Sequence, residues 1–421
     1  MKYLKKVLKN GLSVICVPMP SLESATLTVW VKTGSRFEEK RINGISHFLE
    51  HMVFKGSENY PSAKEIFELI DSLGAENNAG TSKEWTNFYI KARVGVMEVA
   101  FDLLSDVVLR PLLDAKEIER ERGVILEEIA MIEDTPLHKI GDIFDNLAFS
   151  GTALGRDIIG TREIIKTIKR NDFVKYRNLY YYPKNMLITV AGGVNTKKMI
   201  TLCEKYFAHY KAEKKPVNVP AIYKQTKPRV LLKNKMTDQA HLILGYLGNE
   251  MGNRDRYVEA ILSTILGGGA SSRMFTEVRE KRGLAYAVRT SSDHYLDTGS
   301  LATYAGVPIK KAEEAISVIL FEYNKIKEGK IKDSELKKAK EYLKGHLALS
   351  LEDTNDVNGF FGLEQLLLGR VRTPEEVYAE IDRVKGEDVV RVAKYMFKPD
   401  RLNLAVIGPY KDQAKFEKLL A

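Results

Sequence analysis

Apolar residues recur along this chain with two periods. Alternation predicts strands over residues 25–33, 84–92 and 185–191, and again over 239–247, 285–293, 298–307 and 402–407. The 3.6-residue period predicts helices over 45–54, 63–73, 95–109 and 114–132. Ahead of them, segments 3–8 and 12–18 read as a hairpin turned by Asn10-Gly11.

The pattern repeats itself. Tyr182-Pro183-Lys184-Asn185 leads into an apolar strand followed by Gly192, and Lys398-Pro399-Asp400-Arg401 leads into another followed by Gly408. Long amphipathic segments at 114–134 and 333–353 both close on Glu-Asp-Thr. Between the copies, residues 211–229 are Lys-rich, carry Pro216, Pro220 and Pro228, and lose all periodicity, as a linker does. The expectation is an α+β fold of two homologous modules, each a mostly antiparallel sheet with helices packed on it. The first would span 1–212, the linker 213–228, and the second 229–421. Two copies make a duplication; a solenoid needs at least three.

Composition agrees and excludes several classes. A length of 421 residues suits two or three domains, and 44% hydrophobic with 29% charged residues is that of a globular chain. The net charge of +9 comes from 65 basic residues interleaved with 56 acidic ones, so no basic arm for nucleic acid stands out. No apolar run approaches the ~20 residues that cross a bilayer, and residues 14–17 are too short for a signal-peptide core. Cys16 and Cys203 each sit in an apolar stretch, as buried free thiols of a reducing compartment do. These readings together predict a cytoplasmic protein with no membrane or nucleic-acid partner.

The chemistry concentrates in His47-Phe48-Leu49-Glu50-His51, inside the helix predicted at 45–54. Histidines at i and i+4 project from one helix face, so both imidazoles can reach one ion at ~2.0–2.1 Å. Glu50 lies on the edge of that face, where it reaches the water without ligating the metal, the arrangement of the inverted H-x-x-E-H motif. The alternative is a buried His pair packed against Phe48 and Leu49. A third ligand is needed. His138 follows Thr135-Pro136 just past a helix end and is poorly placed. The helix at 114–132 and its end offer Glu117, Glu119, Glu121, Glu127, Glu128 and Glu133. Taking Val124-Ile125-Leu126 as the buried stripe, Glu121 and Glu128 share the face turned to the core, where two carboxylates need a cation or a partner.

With Phe54-Lys55-Gly56, Asn78-Ala79-Gly80-Thr81-Ser82 and the run from Glu119 to Glu128, the sequence resembles the pitrilysin-type zinc metallopeptidases, in the branch of the mitochondrial processing peptidase and bacterial processing proteases. The resemblance implies His47, His51 and Glu128 as ligands of one zinc ion per chain, with Glu127 the neighbouring rival. It implies Glu50 as the catalytic base and Glu121 as the partner of a ligand histidine. It equates Asn78, Ala79 and Gly80 with the family's substrate-binding edge strand, although the family often has an aromatic where this chain has Gly80. It also equates Arg279 and Tyr286 with residues by which the second half grips substrate; a surface guanidinium and a strand phenol are the plain alternative. The second half has no H-x-x-E-H and should be metal-free.

The resemblance thus implies a zinc endopeptidase that hydrolyses short unfolded peptides inside a closed chamber. One chain carries both the metal set and the Arg/Tyr set, which favours a homodimer, with a heterodimer as the alternative. Two other functions compete: a non-catalytic assembly or scaffold subunit, against which the intact motif argues, and a zinc hydrolase of small amides.

Overall fold

A computed structural model describes residues 1–211, 220–221 and 224–420. Of the expected linker, residues 213–219 and 222–223 lie outside the described residues. Two compact units emerge. The first holds Met1–Ile129, Asp157–Val219 and Ala348–Glu375; the second holds Ala130–Arg156, Pro220–Leu347 and Glu376–Ala421.

The first unit is built on six strands: β1 (Leu4–Val7), β2 (Ser13–Pro18), β3 (Ser24–Val31), β4 (Glu76–Thr81), β5 (Thr86–Arg93) and β6 (Met186–Gly192), in the order β1-β2-β6-β3-β5-β4. Only β2 and β6 run parallel; the other neighbours are antiparallel. The central strands β3 and β6 are buried almost throughout, as strands covered on both faces must be. The second unit has β7 (Arg229–Asn234), β8 (Gln239–Gly248), β9 (Ala287–His294), β10 (Gly299–Pro308) and β11 (Leu402–Gly408), in the order β7-β11-β8-β10-β9, with β7 and β11 the parallel pair. That order reproduces β2-β6-β3-β5-β4, so the duplication is visible as topology.

The structure adds to the sequence reading in three places. β4, with sequence Glu-Asn-Asn-Ala-Gly-Thr, has little intrinsic strand preference and is marked as an edge strand by the family resemblance alone; its ladder to β5, with Asn78 opposite Tyr89, holds it in place. β7, a strand that periodicity does not predict, begins at Arg229, the first residue of the expected second module, and pairs with β11. The modules are also not contiguous. The helix Pro136–Ala148 belongs to the second unit, where Ile140, Ile143 and Phe144 join Leu247, Ala405 and Ile407 in one core. The helix Thr354–Leu368 belongs to the first unit, where Asn358 Nδ2 donates to Thr26 O at 2.8 Å and Thr28 Oγ1 at 3.0 Å. Each half of the chain therefore lends one helix to the other half's sheet. Cys16 and Cys203 are buried free thiols. Among the described residues, no helix is long and apolar enough to cross a membrane.

Candidate metal centre

The helix Ile45–Val53 begins at Gly44, whose φ of +100° lies in the left-handed region; a Cβ there would meet Ile159 O at 2.6 Å. Phe48, Leu49 and Met52 bury one side of this helix, which turns His47 and His51 to a less enclosed side. Their ring centres are 4.7 Å apart. Opposite runs the helix Ala115–Asp134, anchored by buried Ile118, Ile125 and Ile129. It brings Glu128 Oε1 to 3.7 Å from His47 Nε2, and Glu128 Oε2 to 3.8 Å from His51 Nε2. Glu127 is exposed and Val124 is half exposed, so the buried stripe runs through Ile118, Ile125 and Ile129.

Those separations suit a metal. Ligands ~2.1 Å from a tetrahedral centre stand roughly 3.4 Å apart, close to what is found here and too far for hydrogen bonds. Among the described residues, His47, His51 and Glu128 are the one group of potential ligands whose donor atoms all lie within 4.8 Å of one another. It lies in the first unit; the equivalent helix of the second, Arg256–Gly267, supplies no such group.

The supporting contacts are specific. Glu121, nearly fully buried, places Oε1 at 2.8 Å from His51 Nδ1 and Oε2 at 2.6 Å from Lys55 Nζ. A carboxylate on Nδ1 leaves Nε2 free to face the metal and fixes the tautomer. His47 Nδ1 is buried and, among the described residues, has no such partner. Burial, helped by the neighbouring His51, pushes the His47 imidazole down to about 4, which keeps it neutral as a metal ligand must be. Burial also works against charge on His51, but Glu121, Glu128 and Glu50 outweigh it and hold its pKa above the ordinary imidazole value. Burial raises Glu128, and the charge of Glu121 adds to that rise. Burial likewise raises Glu50, although its Oε2 accepts a hydrogen bond from Thr81 Oγ1 at 2.6 Å.

Thr81 closes β4, the edge strand that carries Asn78, Ala79 and Gly80, so Glu50 and the strand edge are joined directly. The Ala79 N–H donates to Asn78 Oδ1 at 2.9 Å, so the side chain expected to hold substrate is turned back onto its own strand. A Cβ at Gly80 would meet Asn87 Oδ1 at 3.1 Å.

Arg279 and Tyr286 lie in the second unit and touch each other: the guanidinium sits 5.1 Å from the Tyr286 ring centre and 4.7 Å from that of Phe275. Tyr286 is 78% exposed. Both line a cleft of about 690 Å³ with His138, Ile243, Arg289 and Tyr304. His138, set aside as a ligand from sequence, belongs to that cleft. Thr81 and Lys55 were legible only as parts of a motif and not as contacts of Glu50 and Glu121.

A duplicated α+β chain with one His/His/Glu centre, a carboxylate beside it and a bare strand edge is the build of a metal-dependent hydrolase. Residues 13–162 match the family description "Insulinase (Peptidase family M16)", and residues 167–343 match "Peptidase M16 inactive domain". The chain is 37% identical over 401 residues to a Bacillus subtilis protein named uncharacterized zinc protease YmxG, covering 95% of this chain and 97% of that one. It is 34% identical over 415 residues to the uncharacterized zinc protease SCO5738 of Streptomyces coelicolor, covering 97% and 90%. The crystal structure of a protease from Helicobacter pylori superposes with a TM-score of 0.93 at 29% identity, covering 97% of this chain and 99% of that one. A Pseudomonas fluorescens structure described as a peptidase M16 inactive domain shares the fold, at a TM-score of 0.88 and 19% identity, over 98% and 100%. The chain belongs to peptidase family M16.

Proposed function

We propose that this protein is a zinc-dependent endopeptidase that hydrolyses short unfolded peptides. The observation that carries this reading is the convergence of His47 Nε2, His51 Nε2 and the Glu128 carboxylate, with Glu50 one residue from a ligand and tied to the edge strand. A zinc ion held there would acidify water and polarise a peptide carbonyl. Glu50 takes the proton from the attacking water and returns it to the leaving amine; its burial, which raises its pKa, suits both transfers. β4 receives the peptide as an added strand, so main-chain hydrogen bonds give affinity without strict sequence preference, and Asn78 rotates off the Ala79 amide to let it dock. The names of the relatives favour the same chemistry.

The test is a mixed library of unstructured peptides incubated with the pure protein, with and without a zinc chelator, and read by mass spectrometry. Internal cleavage that the chelator abolishes and added zinc restores is expected; no chelator-sensitive product would overturn the reading.

The proposal extends to assembly. Two identical chains close a chamber in the cytoplasm, each binding one zinc ion, with Arg279 and Tyr286 of one chain serving the centre of the other. A mixture of Glu50→Gln and Arg279→Ala chains should then regain activity that neither variant has alone. A mixture as inactive as its parts would remove that arrangement and leave a partner chain of different sequence as the alternative.

A further inference from the structure

Gly44 opens the metal helix, and glycine has no side chain with which to satisfy the first backbone N–H groups. Another residue does this. Glu38 is buried, and its Oε2 accepts from the Gly44 N–H at 2.7 Å and from Asn43 Nδ2 at 2.8 Å. Its Oε1 accepts from the Ser46 N–H at 2.8 Å and from Ser46 Oγ at 2.6 Å. Because Ser46 gives its hydroxyl proton to Glu38, Tyr176 OH, 2.6 Å away, must donate to Ser46 Oγ. Thr33 Oγ1, 2.7 Å from Tyr176 OH, donates in turn, and Thr33 lies two residues past the end of the central strand β3. A relay of four buried side chains thus runs from the sheet to the amides just ahead of His47. The carboxyl oxygens at its end also face the positive end of the helix dipole, although burial raises the pKa of Glu38.

We infer that Glu38 is a positioning residue: it supplies from outside the helix the cap that Gly44 lacks, and so fixes the height and rotation at which His47, Glu50 and His51 meet Glu128. Glu38 holds Asn43, Gly44 and Ser46 rather than any of the three ligand side chains. The inference rests on the zinc reading above and deepens it.

The experiment compares the intact wild-type chain with Glu38→Gln, whose amide NH2 would face a donor. Zinc affinity is measured by competition with a chromophoric chelator, and amide hydrogen exchange of residues 45–49 is followed in the metal-free protein. Zinc binding is expected to weaken by roughly 10–100-fold, with faster exchange in that first turn. At saturating zinc, kcat should fall with little change in KM. Asn358→Ala, which weakens the same unit away from this helix, should leave zinc affinity unaltered. Should Glu38→Gln fail to fold, Ser46→Ala replaces it, with an effect of the same sign of about threefold. Unchanged zinc affinity, whether or not exchange rises, overturns the inference, as does an equal loss in Asn358→Ala. A wild-type chain that binds no zinc sinks the metal reading instead, before any variant is compared.

Discussion

Thr81 Oγ1 donates to Glu50 Oε2 at 2.6 Å, so the last residue of the edge strand holds the carboxylate of the metal helix. Strand edge and Glu50 are therefore one mechanical unit, and a peptide added to β4 would register against the residue proposed to act on it. Thr81→Val, which keeps the shape and removes the hydroxyl, is expected to lower kcat/KM about tenfold, the worth of one hydrogen bond to a charged group. Thr81→Ser should restore most of it. Equal activity in all three proteins would separate Thr81 from catalysis.

The two neighbouring glutamates on the carboxylate helix should behave oppositely. Glu128→Gln is expected to abolish stoichiometric zinc binding, because Glu128 faces both imidazoles, whereas exposed Glu127→Gln should bind zinc as the wild type does. Metal analysis after gel filtration distinguishes them. Glu50→Gln should retain zinc and lose cleavage; normal turnover of an unstructured peptide by that variant would remove Glu50 as the base.

Stability should fall between acid and neutral pH through Glu259. Burial pushes this carboxyl up to about 7; Oε1 accepts from Asn249 Nδ2, and Oε2 has no partner among the described residues. The folded protein thus keeps a proton that the unfolded chain releases in the ordinary carboxyl range. Its contribution is fully present below the unfolded pKa and is lost as pH rises towards 7, about 3 kcal/mol over the whole window. Urea titrations of wild type and Glu259→Gln across pH 4.5 to 7.5 check this: the Gln variant should show the shallower dependence, and parallel curves would contradict it.

Asn358→Ala is expected to destabilise the first unit by about 2 kcal/mol, since it strips a buried donor from Thr26 O and Thr28 Oγ1. Chemical denaturation followed by near-UV circular dichroism gives the value. A neutral substitution would mean that the lent helix is held by its apolar contacts alone.

Much of this was legible in the sequence because it is local. The i, i+4 histidines, the Glu121/Glu128 face and the repeated strand patterns each declare themselves within one element. What escaped is set by tertiary contact. β4 is polar, so periodicity missed it and only the family resemblance marked it; pairing with β5 makes it a strand. Val124 looked like core within the run Val124-Ile125-Leu126 but faces outward. Glu38 caps a helix that starts seven residues later, and no local pattern announces it. The choice between Glu127 and Glu128 needed first the family's spacing and then the position of the opposite helix.

The exchange of helices has a further meaning for the chain as an object that can be cut. Severed in the 213–228 stretch, each fragment would keep its own sheet but carry the cover of its counterpart's, leaving one face bare and sticky. The two pieces would be insoluble apart and would reconstitute when expressed together, so this duplicated protein is better regarded as a split pair covalently joined than as two beads on a string.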